Sequence, residues 1–169
     1  METQVIRRRV SYLLWFFVIA LLLSGLTAFP IRWEADLLQR IFGLGTFMED
    51  LWPGMARWIS FVYQGLAETY QQYPFIAYGT DWLAFAHIVI AIAFWGALRD
   101  PVRNIWVIEF GMIACVLVIP LALIWGPIRE IPFFWRLIDC SFGIFGFVPL
   151  WIARGYIRRL ADLEHAATP

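Results

Sequence analysis

An integral membrane four-helix bundle, all-α, with an extracytoplasmic amphipathic helical insertion between its first and second transmembrane helices, is the fold class this chain predicts. Three observations carry it. Four apolar runs, Ser11–Phe29, Trp82–Leu98, Ile105–Trp125 and Leu137–Ala153, each approach the ~20 residues that an α-helix needs to cross a bilayer. The composition is 62% hydrophobic and only 15% charged over 169 residues, more apolar surface than one water-soluble core of this size can hide. Every arginine cluster outside the runs falls on one side of a four-pass chain.

The first run follows Arg7-Arg8-Arg9, a pattern shared with secretory signals. The apolar stretch continues to Phe29, longer than a signal h-region, and Leu26 stands where a cleavage site after Ala28 would need a small side chain. A retained anchor over about 11–29 is expected. The remaining spans are expected at about 80–98, 105–125 and 136–154, within a single membrane domain covering 1–169. Arg99 and Arg103 separate the second and third runs, and Arg154, Arg158 and Arg159 follow the fourth. The positive-inside rule then places all three clusters and both termini in the cytoplasm.

The 30–77 segment falls on the other side, where Glu34, Asp36, Glu49, Asp50 and Glu68 outnumber Arg32, Arg40 and Arg57. Between Pro53 and Tyr73 the residues Arg57, Ser60, Gln64, Glu68 and Gln71 recur at helical spacing, with Trp58, Ile59, Val62 and Leu66 on another face. This predicts an amphipathic helix, and a shorter one is expected from Glu34 to Phe42, stopping at Gly43 and Gly45. Both suit the membrane interface or the end of the bundle. Trp33, Trp52, Trp58, Tyr73, Tyr78, Trp82, Trp125 and Trp135 gather near the same boundary, where a ring buries its body and keeps its polar atom wet.

Helices in lipid meet through small residues, since close backbone contact replaces the hydrophobic drive of water. The expected faces are Ala20, Ser24 and Ala28 in the first helix and Thr80, Ala84, His87 and Ala91 in the second. In the third they are Gly111, Cys115 and Ala122, with Pro120 expected to bend the helix. In the fourth, Asp139, Gly143 and Gly146 lie together while Phe142, Phe145 and Val148 point elsewhere. Cys115 and Cys140 lack the neighbours of a zinc or redox motif and read as unbridged packing residues.

Five polar residues could carry chemistry at the outer boundary. His87 lies about 8 Å below it at the helical rise from Trp82, and Arg136 and Asp139 open the fourth helix from the same side, spaced to pair across one turn. Thr80 and Asp81 enter at the top of the second helix. An ionisable group within a membrane helix costs about 2.5 to 3.5 kcal/mol on insertion scales and usually has a partner or a purpose. His87, Arg136, Asp139, Asp81 and Thr80 therefore form either a polar pocket for an anionic headgroup, a quinone or a proton, or a lock between helices; the lock is the favoured reading. On the cytoplasmic side Glu109 is expected to cluster with Arg99 and Arg103 by snorkelling.

Several classes are set aside. Clustered positive charge for nucleic acid is missing, and so are HExxH, Ser/His/Asp and phosphate-cradling glycine motifs. Haem would need a second axial ligand beside His87, for which the chain offers Met112 at another depth or the His87 of a second copy. No cofactor, metal or catalytic residue is expected. The stretches Tyr78-Gly79-Thr80-Asp81-Trp82, Asp100-Pro101-Val102-Arg103-Asn104 and Arg136-Leu137-Ile138-Asp139-Cys140 resemble those of small bacterial inner-membrane proteins of unknown function, over most of the chain. That resemblance implies a bacterial inner membrane and brings no activity. The expectation is an accessory or scaffolding subunit of a membrane complex, with the bilayer, other membrane subunits or further copies of itself as partners. Its rivals are a lipid, quinone or proton carrier using the outer pocket, and a membrane enzyme using His87 and Asp139.

Overall fold

The computed structural model describes residues 2–166. Seven α-helices follow one another: α1 (Glu2–Thr27), α2 (Ile31–Phe42), α3 (Phe47–Leu51), α4 (Pro53–Gln72), α5 (Tyr78–Arg99), α6 (Ile105–Ile128) and α7 (Phe133–Ala166), with a 3-10 turn at Pro74–Ala77 before α5. Four of these, α1, α6, α7 and α5 with its leading turn, are long and apolar enough to cross a membrane. The α1 and α7 helices overrun the expected spans at their charged ends. Arginine is among the better helix formers, so the Arg7–Arg9 and Arg154–Arg159 segments extend the helices past the apolar runs. Similarly α6 runs unbroken through Pro120 and continues through Pro127 to Ile128.

The chain divides into two compact units, one comprising Met1–Leu21 with Ile90–Pro169, the other Leu22–Val89. In the first unit α6 and α7 form an antiparallel hairpin in a nearly constant register. Gly111 lies against Leu150, the Cys115 backbone against Gly143, its sulfur against Gly146, and Gly126 against Arg136. Glycine at these positions lets one helix sit directly on the other. Buried Ile6, Val10, Leu14 and Val18 recur every fourth residue of α1, and buried Leu150, Ala153, Ile157 and Leu160 alternate by three and four along α7. Ion pairs from Arg7 to Glu164 and from Arg159 to Glu2 join the same two helices, and Arg9 reaches the Tyr156 hydroxyl. Phe17 stacks on buried Phe94 with ring centroids 4.8 Å apart. Cys115 and Cys140 are both buried free thiols.

The α6–α7 turn closes by a paired carbonyl cap, with the Ile131 N–H bonded to the Gly126 carbonyl at 2.9 Å and the Glu130 N–H to that of Pro127 at 3.1 Å. Such a cap needs a left-handed residue, and here Glu130 takes it with φ 57°. Pro132 then prevents continuation. At the α5–α6 turn the Asp100 carboxylate accepts the Arg103 N–H at 3.1 Å. Asn104 precedes α6, yet its side chain closes the preceding helix instead, donating to the Gly96 and Asp100 carbonyls at 3.1 and 2.9 Å.

In the second unit α2 packs on α4 around buried Ala35, Ala56 and Ile59. Pro53 starts α4 where its missing N–H costs nothing, and Thr46 caps α3 by accepting the Met48 N–H at 3.2 Å. Ser60 does not lie on a solvated face as its spacing predicts. It is 4% exposed, accepts the Leu44 N–H at 2.9 Å and donates to the Gln39 side-chain oxygen at 2.8 Å. The backbone that leaves α2 has an unpaired N–H at this point, and a buried hydroxyl on α4 satisfies it more cheaply than water could.

Candidate functional site

His87, Thr80 and Asp81 belong to the Leu22–Val89 unit, whereas Arg136 and Asp139 belong to the other. The structure therefore does not gather the five residues within one unit. His87 sits on the face shared with Ala84, which is fully buried. A side chain added to Gly25 of α1 would place its Cβ 2.5 Å from the His87 Cβ and 3.3 Å from the Ala84 carbonyl oxygen. Helices α1 and α5 thus touch backbone to backbone at this level, with His87 as the knob and Gly25 as the hole. The small-residue face expected from Ala20, Ser24 and Ala28 is not the contact: Ala20 and Ser24 are exposed, and buried Gly25 faces α5.

The His87 ring is held by its own helix, with Nδ1 2.8 Å from the Leu83 carbonyl oxygen. A carbonyl only accepts, so Nδ1 donates in this bond. Thr80 donates its hydroxyl to the Ala77 carbonyl at 2.7 Å and so ties the 3-10 turn to α5. Asp81 occupies the first turn of α5, where a negative charge meets the positive end of the helix dipole.

Arg136 and Asp139 do not form the expected pair across one turn; among the described residues no ion pair joins them. Gly126 leaves a trough on α6, and the Arg136 Cγ and Cδ methylenes lie in it. The guanidinium carbon then comes to rest 5.1 Å from the centre of the Phe133 ring, a cation–π contact in place of a carboxylate. The Arg136 Nε is buried without a hydrogen-bond partner. Asp139 instead faces a small cavity of about 220 Å3 lined by Val118, Leu121, Ala122, Trp125, Arg129 and Ile131.

Glu109 joins a different cluster from the one its sequence neighbours suggest. Its carboxylate accepts from the Arg154 Nε at 2.7 Å and lies 3.9 Å from Arg158, both on α7 rather than at Arg99 or Arg103. The antiparallel hairpin brings position 109 level with 154, and that register outranks proximity along the chain. Among the described residues no group of three or more His, Cys, Asp or Glu is placed to hold a metal ion. No family model, curated protein or solved structure matches this chain.

Proposed function

We propose that this chain is a bacterial inner-membrane protein that crosses the bilayer four times with both termini in the cytoplasm. Its α2–α4 segment forms an extracytoplasmic cap, and the protein serves as an accessory or scaffolding subunit of a membrane complex. The supporting observation is the outward surface of the four long helices. Phe16, Leu23, Ile92, Leu117, Ile144 and Phe145 are all exposed by half or more. In water these rings and branched chains would form a large apolar patch, which in soluble proteins marks an interface. Lipid and neighbouring membrane helices are the partners that cover such a surface without penalty.

His87 supports the scaffolding reading over a carrier or an enzyme, because its imidazole N–H is spent on Leu83 and its Cβ is wedged against Gly25. With the ring tied back onto its own helix, the wedge at Gly25 holds α1 and α5 together. Extraction in a gentle detergent, followed by an absorption spectrum and native mass spectrometry, tests this proposal. A scaffold co-purifies with other membrane subunits in fixed stoichiometry. A lone chain carrying a chromophore or quinone would replace it with the binder reading, and turnover lost on His87→Ala or Asp139→Asn with expression intact would replace it with an enzyme. Tags at either terminus that proved accessible outside intact cells would overturn the orientation.

A further inference from the structure

Between α6 and α7 runs a groove of about 480 Å3 whose wall is apolar over most of its length, formed by Met112, Ile113, Val116, Leu117 and Phe147. Its lower end is closed by the Glu109–Arg154 ion pair, with Arg158 one turn further along α7. We propose that this groove seats a phospholipid with a net negative headgroup, one acyl chain lying along the apolar wall and the phosphate against Arg154 and Arg158. The inference rests on the membrane reading above and adds a ligand class to a face of α6 and α7.

The charge at the closed end argues for the sign of the headgroup. Two guanidinium groups share one carboxylate, which leaves an excess of one positive charge. Arg154 spends its Nε on Glu109, so its two terminal nitrogens still have N–H groups to donate. The Arg158 side chain is 58% exposed and only loosely associated with Glu109 at 3.9 Å. Arginine N–H groups suit phosphate oxygens in geometry as well as charge.

The dimensions argue for a lipid rather than a free anion. From Glu109 to Leu117 the wall extends about 12 Å along α6, close to the ~15 Å depth of one bilayer leaflet. A headgroup at the level of Arg154 therefore places its chain against apolar wall for most of its length. Inorganic phosphate would use the arginines and leave the wall bare.

The test uses the full chain in detergent micelles doped with equal phosphatidylglycerol and phosphatidylethanolamine, read by native mass spectrometry. Wild type should retain phosphatidylglycerol about fivefold over phosphatidylethanolamine, the weight of one arginine near an anionic surface. Arg158→Gln should bring the ratio close to one. Val116→Trp, which fills the wall, should lower retention of both lipids. Equal retention by wild type, an unchanged preference in Arg158→Gln, or loss of lipid to added glycerol phosphate would overturn the site, as would a lipid-free dimer sealed along this face. Arg158 is exposed, and a thermal melt of each variant verifies that its fold is retained. A chain that stayed dispersed without detergent would instead defeat the membrane reading, so the two failures are distinct.

Discussion

Replacing Gly25 with alanine puts the α1–α5 contact under direct strain. The new Cβ would sit 2.5 Å from the His87 Cβ, where two carbon atoms prefer about 3.5 Å or more, so the helices must part by about 1 Å. Both atoms hang directly on backbone, and neither can swing aside. Overpacking of this kind costs about 1 to 3 kcal/mol, against which alanine gains at most about 1 kcal/mol of helix propensity over glycine. A net loss of up to about 2 kcal/mol follows. Gly155→Ala on α7 is the control, since nothing lies within 4 Å of its added methyl, and it should be neutral or slightly stabilising. Thermal unfolding in detergent reads the difference. His87→Gly in the Gly25→Ala background should recover part of the loss, whereas His87→Ala, which keeps the offending Cβ, should not. The reasoning is refuted if Gly25→Ala melts with Gly155→Ala, or if both His87 changes rescue equally.

Three further outcomes are expected. Ser60→Ala strands the Leu44 N–H and the Gln39 side chain, and should cost about 1 to 3 kcal/mol while speeding amide exchange at Leu44, measured by hydrogen–deuterium exchange. Glu130→Gly relieves a left-handed conformation that costs a side-chain-bearing residue about 1 to 2 kcal/mol, and should raise the melting temperature; an unchanged or lower value would contradict the cap geometry. Burial raises the Glu34 carboxyl above its ordinary value of 4.5, so the folded chain holds this proton more tightly than the unfolded one. The stability it contributes is present below about pH 4.5 and is lost as pH rises through the raised value. Glu34→Gln should therefore gain on wild type from acid to neutral pH, and parallel melting curves across that range would exclude the effect.

Much of the helix order was legible in the residues. Apolar run length marked the four long helices, Pro53 and Gly43 marked the α4 start and the α2 stop, and of the expected α5 face Thr80, Ala84, His87 and Ala91 the two alanines are buried and the other two half-buried. On α7 the outward placement of Phe142, Phe145 and Val148 agrees with their exposure of 64%, 72% and 48%. The errors share a cause, which is that periodicity identifies faces without naming their neighbours. Gly25 lies about 100° around α1 from Ser24, and only the position of His87 decides which of the two is the contact. Ser60 reads as solvated by polarity alone, because the N–H that needs it belongs to residue 44 in the turn between α2 and α3. One-turn spacing allows Arg136 to pair with Asp139, and the trough at Gly126 draws it elsewhere. The Glu109–Arg154 pair was within reach of sequence reasoning. Counting equal distances from a turn near residue 131 places 109 beside 153 or 154.

The clasp between α1 and α7 bears on the order in which the protein is made. Glu2, Arg7 and Arg9 of α1 precede their partners on α7, Arg159, Glu164 and Tyr156, by 147 to 157 residues. These α1 side chains therefore emerge from the ribosome well before the groups that pair with them. A nascent chain halted before residue 150 leaves Glu2, Arg7 and Arg9 open to any passing helix or chaperone, so the clasp closes only once the far half of α7 has been made.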